Sequence, residues 1–347
     1  MGLEQNGETG MTQLRTVKDG SGRVMRAERE CSLDPRIAAR IEALINGVER
    51  VIFGKRETVK LCVTGLLARG HILIEDVPGI GKTTLAQGLA RSIDCRFSRI
   101  QFTSDMLPSD ILGVSVLNPK TREFEFRPGP IFAGVVLADE INRTPPKNQS
   151  ALLEAMSEFQ VSVDGVTRNL PQPFIVLATQ NPIEYEGTYP LPESQLDRFM
   201  LRVEIGYPGS EDELHIMRRR DPRAEMARLE PVLSADEIVG LQQQVGDVHV
   251  DDSVASYMLA IVQGTRQHEH IQLGASPRAA QAFYEASQAH ALVEGRDYVT
   301  PDDVKQMAVP ALSHRVLVRS REGNLAAAAR SRARAVFDVV KNTPIPR

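Results

Sequence analysis

The sequence predicts an α/β sandwich built on a parallel sheet, with two inserted β-hairpins, followed by a smaller all-helical domain. Three observations predict it. Short apolar runs alternate with stretches of helical periodicity, as strands covered on both faces do. Two other segments alternate with period two around turn residues, which reads as hairpins. Beyond Tyr207-Pro208-Gly209 the pattern becomes purely helical.

In chain order, residues 1–31 are rich in Gly, Glu, Arg and Ser, lack apolar periodicity and read as a disordered tail. Order is expected from Ser32-Leu33-Asp34-Pro35, a polar cap with a proline in the first turn, ahead of Ile37, Ile41, Leu44, Ile45 and Val48. Val51-Ile52-Phe53-Gly54 breaks that helix, and a second carries Val59, Cys62, Val63, Leu66 and Leu67. Strands are expected at Ile72 to Glu75, Phe97 to Phe102, Val135 to Asp139 and Phe174 to Ala178. Hairpins are expected where Val114–Leu117 and Glu123–Phe126 flank Asn118-Pro119-Lys120, and where Gln160–Val163 and Val166–Arg168 flank Asp164-Gly165. The α/β domain then spans residues 32–208. The helical domain, residues 209–347, opens helices at Ser234-Ala235-Asp236-Glu237, Ser276-Pro277-Arg278 and Thr300-Pro301-Asp302-Asp303.

The chemistry sits in two motifs. Asp76-Val77-Pro78-Gly79-Ile80-Gly81-Lys82-Thr83-Thr84 lies between a strand and a helix and reads as a phosphate-binding loop. Pro78 opens the loop, the backbone N–H groups from Gly79, Ile80 and Gly81 through to Thr84 wrap the phosphates, Lys82 reaches the terminal oxygens, and Thr83 offers a hydroxyl to Mg2+. Asp139 and Glu140, closing the apolar run from Gly134, supply a carboxylate to hold that metal through water and another to activate the attacking water. Asp76 departs from the usual glycine, and a carboxylate there should repel phosphate unless it points away. Together the motifs imply ATP hydrolysis with ATP and Mg2+ as cofactors.

Two longer runs are more specific. Ala138-Asp139-Glu140-Ile141-Asn142-Arg143, continuing through Pro145-Pro146-Lys147 to Met156, resembles the MoxR family of AAA+ ATPases, as does Ala178-Thr179-Gln180-Asn181-Pro182-Ile183-Glu184 continuing to Asp197-Arg198-Phe199. The likeness covers about residues 34–345 and implies an AAA+ P-loop core with a helical lid. It implies that Asn181 is the sensor holding the attacking water, Arg198 an arginine finger reaching a neighbouring subunit's nucleotide, and Arg278 the lid sensor of the terminal phosphate. Val51, Ile52, Phe53 and Gly54 would line the adenine pocket, and the two hairpins would face the pore of a hexameric ring. Read without the family, Arg198 is a structural arginine paired with Asp197 or Glu193, Arg278 a solvated first-turn residue and Asn181 the start of a turn.

Composition narrows the class. Lys+Arg 41 against Asp+Glu 45 leaves a net charge of -4, which argues against bulk nucleic-acid binding. There is no apolar run long enough for a membrane span and no signal core, and the three scattered cysteines suit a reducing compartment, so a cytoplasmic enzyme is expected. His268-Glu269-His270 lacks a third metal ligand, and Arg218-Arg219-Arg220 reads as a solvated helix face. The resemblance implies chaperone-like remodelling or maturation of client proteins or metalloprotein complexes, with a von Willebrand factor A domain partner. The alternatives are a magnesium-chelatase-type motor subunit and a DNA-acting AAA+ motor.

Overall fold

The computed structural model describes residues 17–18, 24–25, 33–182, 187–218, 222–319 and 325–346. The chain divides into two units, Met1–Ser32 and Leu33–Arg347. In the first, β1 (Val17–Lys18) and β2 (Val24–Met25) pair antiparallel. The rest of the expected tail lies outside the described residues, as do Ile183, Glu184, Arg219 and Arg220.

The second unit opens with α1 (Pro35–Glu49), where Asp34 accepts the Arg36 N–H at 2.9 Å and Pro35 occupies the first turn. After α2 (Arg56–Leu67) the chain enters β3 (Ile72–Glu75), passes the glycine loop into α3 (Lys82–Ser92), and forms β4 (Phe97–Gln101). A short α4 (Pro108–Leu112) leads into the first hairpin, β5 (Gly113–Leu117) and β6 (Phe124–Pro128). Then come β7 (Val135–Asp139), α5 (Pro146–Glu158), the second hairpin of β8 (Gln160–Val163) and β9 (Val166–Asn169), and β10 (Ile175–Gln180). A single turn, α6 (Glu193–Leu196), precedes β11 (Leu201–Val203).

Five strands form one parallel sheet in the order β11-β3-β10-β7-β4. Alternate residues feed opposite layers. Ile72, Ile74, Val135, Leu137, Ile175 and Leu177 join one buried cluster, and Leu73, Val136, Ala138, Val176 and Ala178 join the other. That is why β3, β7 and β10 read as apolar runs up to their last residues. The fifth strand, β11, was not expected: it is three residues long and carries Arg202 at its centre. Arg202 is buried because its guanidinium pairs with buried Glu75 on the adjacent strand and reaches Glu204 at 2.6 Å. Replacing Arg202 by alanine strands the Glu75 charge in the interior, an expected loss of about 3–5 kcal/mol. A double replacement, Glu75→Leu with Arg202→Met, should recover most of it, and chemical denaturation of the three proteins checks both statements.

Both hairpins form as expected. Asp164 and Gly165 have φ of 54° and 73°, the paired left-handed turn that an Asp-Gly hairpin uses. The longer first loop is held by Asn118, whose side-chain oxygen accepts the Lys120 N–H at 2.9 Å. Arg168 of the second hairpin lies 3.8 Å over the Phe126 ring of the first, so the two insertions touch.

From α7 (Ser210–Arg218) onward the chain is chiefly helical: α8 (Pro222–Ala227), α9 (Ala235–Gln244), α10 (Asp252–Gln267), then, after β12 (Ile271–Leu273), α11 (Pro277–Val293) and α12 (Pro301–Leu312). After β13 (Leu317–Val318) the last helix is α13 (Leu325–Asn342). The strands β12 and β13 pair antiparallel, a small ribbon inside a region whose sequence reads as helix alone. The Ser234, Ser276 and Thr300 caps accept the N–H groups of Glu237, Ala279 and Asp303. Leu241, Ile261, Phe283 and Val336 share one buried cluster with Ile72 and Leu85, so the helical part and the sheet have a continuous core.

One histidine ties the sheet to α5. His71 Nδ1 accepts the Val176 N–H at 3.0 Å, which leaves Nε2 to donate to the Met156 carbonyl at 2.9 Å. Burial pushes its pKa from 6.5 down to about 4. A folded pKa below the unfolded one means that the unfolded chain binds the extra proton. The contribution is therefore present above pH 6.5 and is lost as pH falls toward 4, on the order of 3 kcal/mol in all. His71→Gln should remove that part of the acid sensitivity, read as the difference between the two stability–pH curves.

Candidate nucleotide site

The C-terminal ends of β3, β7 and β10 lie side by side, with Gln180 paired to Glu75 and Ala178 to Ala138. Residues just past strand ends therefore converge: Asp76 and the loop from β3, Glu140 from β7 and Asn181 from β10. Open parallel sheets bind ligands at this edge.

The loop turns at Gly79 and Gly81, whose φ values of 85° and 98° are left-handed. A side chain at Gly79 would meet nothing within 4 Å, so the loop presents open backbone there. Pro78 and Gly79 are exposed, whereas Ile80, Gly81, Lys82, Thr83 and Thr84 are half-buried at the start of α3. Lys82 Nζ donates to the Asp76 carbonyl at 2.6 Å, which folds the side chain back over the loop. Burial lowers the Lys82 pKa, opposed by the charges of Asp76, Asp139 and Glu140.

Asp76 resolves its apparent conflict with phosphate. One carboxylate oxygen accepts the Val77 N–H at 2.8 Å; the other accepts the N–H groups of Ile205 and Gly206 at 2.8 and 2.6 Å. The charge is spent on the end of β11, and its φ is not left-handed, so glycine is not needed at this position. Asp76 fastens the loop to the segment that leads into α7.

The two acidic residues are held from several sides. Thr179 donates its hydroxyl to Asp139 Oδ1 at 2.6 Å and accepts the Glu140 N–H at 2.9 Å. Arg99 reaches Asp139 Oδ2 through Nη2 at 2.5 Å and Nε at 3.1 Å. Gln101 donates to Glu140 Oε2 at 2.8 Å, and Arg143 lies 3.1 Å from the same oxygen. Glu140 itself has φ 59°, so the chain turns sharply there and swings its carboxylate off the strand. Thr179, Arg99 and Gln101 carry no role in the sequence reading. The polar residues Ser98, Arg99 and Gln101 in so short a strand are the available signal, and they mark the sheet edge beside Asp139.

Val51 and Ile52 are buried against the loop and α3: a side chain at Gly81 would sit 3.6 Å from Ile52 Cδ1, and one at Gly88 would collide with Val51. Phe53 packs edge-on against His215 of α7 at 4.5 Å, and Gly54, with φ 65°, lies beneath Asp212. Segment 51–54 therefore bridges the loop and the first helix of the helical part.

The two arginines stand differently. Arg198 donates to the Leu153 carbonyl at 2.7 Å and to Ser157 Oγ at 3.2 Å, so its partners are on α5 rather than Asp197 or Glu193. Arg278 is exposed in the first turn of α11. Its neighbour Ser276 lies 3.3 Å from Asp197, which also faces the buried Arg315 at 3.5 Å. Burial, together with the Arg278 charge, pushes Arg315 down to about 10 although Asp197 opposes the shift. The start of α11 is thus fixed to the residue just before Arg198.

Residues 71–201 match the family described as ATPase family associated with various cellular activities (AAA), and residues 263–334 match the AAA lid domain. The chain is 53% identical over 274 residues to the YeaC protein of Bacillus subtilis, covering 79% of this chain and 86% of that one. It is 42% identical over 287 residues to the chaperone MoxR1 of Mycobacterium tuberculosis, covering 80% and 76%. The chain belongs to the MoxR family of AAA+ ATPases. A crystal structure from Cytophaga hutchinsonii superposes on this MoxR-family chain with a TM-score of 0.80 at 36% identity, covering 90% of this chain and 96% of the other. As an AAA+ ATPase it is an ATP hydrolase, and the loop and carboxylates described above lie within the matched region. Among the described residues no helix of this MoxR-family protein is long and apolar enough to cross a membrane.

Proposed function

We propose that this MoxR-family protein is a magnesium-dependent ATPase that works as a ring, most simply a hexamer, with each site shared by two protomers. The observation that carries the reading is the convergence of Lys82, Asp139, Glu140 and Asn181 at adjacent strand ends. In this reading Gly79, Gly81 and the amides through Thr84 wrap the phosphates, with Lys82 released from the Asp76 carbonyl to meet the terminal oxygens. The donor set fits a hard cation: Thr83 offers a hydroxyl, and Asp139 a carboxylate whose other oxygen is fixed by Thr179. When bound, magnesium neutralises charge on the phosphate oxygens. Glu140 and Asn181 position the attacking water, Arg198 comes from the neighbouring protomer, and Arg278 reports on the terminal phosphate from the lid. Val51, Ile52, Phe53 and Gly54 hold the base, and their contact with α7 gives nucleotide a direct path to the helical part.

The work done is chaperone-like remodelling of client proteins or metalloprotein complexes, with a von Willebrand factor A domain protein as partner. Support comes from the relative named chaperone MoxR1 and from the two hairpins, which are inserted between strands that carry site residues. Leu117, Phe124 and Val166 are exposed on them, a surface suited to apolar client segments. Calorimetric titration of a non-hydrolysable ATP analogue, with and without magnesium, tests the site. Wild type should bind in the micromolar range with magnesium, and Lys82→Ala should bind at least about tenfold more weakly, the loss expected when a charged phosphate contact is removed. Equal affinities, or no binding by wild type at millimolar nucleotide, would contradict it.

A further inference from the structure

Arg99 stands outside every motif, yet its Nη2 lies only 2.5 Å from Asp139 Oδ2. Asp139 Oδ1 is committed to the fully buried Thr179 hydroxyl, so Oδ2 is the oxygen left to face a cation. Arg99 holds that oxygen through two nitrogens, and its Nη2 also donates to Gln101 Oε1 at 2.7 Å. Resting on the assignment of Asp139 to the metal, we propose that Arg99 is a displaceable counter-ion for Asp139. It competes with magnesium for Oδ2 and thereby sets the magnesium concentration at which the site loads nucleotide.

The physical case has three parts. A guanidinium cannot shed its charge near neutral pH, so an approaching divalent ion relieves the repulsion only by moving it. Arg99 is free to move: it springs from the edge strand β4, and its side chain is 48% exposed against 15% for Asp139. It also has a resting place, because the bond to Gln101 survives a small swing away from Asp139. The guanidinium is half in water although Asp139 is largely covered, so the competition is modest rather than prohibitive. A fixed cation at this point would close the site, whereas a weakly held one makes loading graded in magnesium.

The test is a magnesium titration at fixed, sub-saturating fluorescent non-hydrolysable ATP analogue, on wild type, Arg99→Gln and Arg99→Lys. Removing the competitor should lower the magnesium midpoint about 2- to 5-fold in Arg99→Gln, the range an exposed ion pair supports. Arg99→Lys keeps the charge and should stay near wild type. An unchanged midpoint in Arg99→Gln overturns the proposal. A raised midpoint overturns it too, because it makes Arg99 a ligand of the nucleotide. Both results leave the site itself standing, whereas failure of wild type to bind the analogue at any magnesium concentration removes site and proposal together. Should Arg99→Gln melt early, Arg99→Met preserves the aliphatic stem and takes its place in the titration.

Discussion

Replacing Arg198 by alanine is expected to lower ATP turnover by about 10³–10⁵-fold, the range a finger arginine supplies to phosphoryl transfer. Nucleotide affinity of the separated protomer should stay close to wild type, because the role proposed for Arg198 is at its neighbour's site. Within its own chain the guanidinium rests on the Leu153 carbonyl and Ser157 Oγ, both on α5. Those are neutral partners, and a guanidinium trades them for phosphate charge at a gain. A purely structural arginine behaves otherwise: its loss lowers stability, and turnover falls only in proportion to unfolded protein. Measuring the melting temperature beside the rate separates the two. Arg198→Lys should restore the melting temperature better than the rate, since a point charge lacks the planar fork.

Glu140→Gln is expected to cut turnover by about 10²–10⁴-fold, the span of a lost general base, with ATP still bound. The substitution keeps side-chain size and a carbonyl oxygen for Gln101, whose amide donates to Glu140 in the wild type. The amide cannot take a proton from water, so the protein should accumulate in its ATP-bound form. Single-turnover phosphate release together with a binding titration reads both quantities. Wild-type turnover in this variant would remove Glu140 from the chemistry.

How much of this was legible in the chain depends on distance. The apolar runs closed by Glu75 and Asp139 place β3 and β7 at the residues observed, because a strand buried on both faces admits polarity only where it leaves the sheet. Asp-Gly fixed the second hairpin for an equally local reason, two adjacent left-handed residues. Contacts that span the fold were not legible. Leu201-Arg202-Val203 reads as a strand only once Glu75 is known to neutralise Arg202. The ribbon of Ile271–Leu273 with Leu317–Val318 joins two very short segments far apart in sequence, with too few residues to show a period. Asp76 is the sharpest case. Read locally it opposes phosphate, and only its bonds to Ile205 and Gly206 show where the charge goes. Arg99 is silent locally for the same reason, since its meaning lies in the register that sets β4 beside β7.

A site shared between protomers is tested most directly by complementation. Lys82→Ala and Arg198→Ala proteins, each inactive alone, are mixed, allowed to exchange subunits, and assayed for phosphate release. At junctions where an Arg198→Ala protomer offers its intact loop to the arginine of a Lys82→Ala neighbour, the site is whole. Random mixing in a ring with head-to-tail contacts makes about a quarter of the junctions of this kind, so activity should return to a comparable fraction of wild type. A mixture that exchanges subunits yet stays as inactive as its components would show that Lys82 and Arg198 do not meet across an interface.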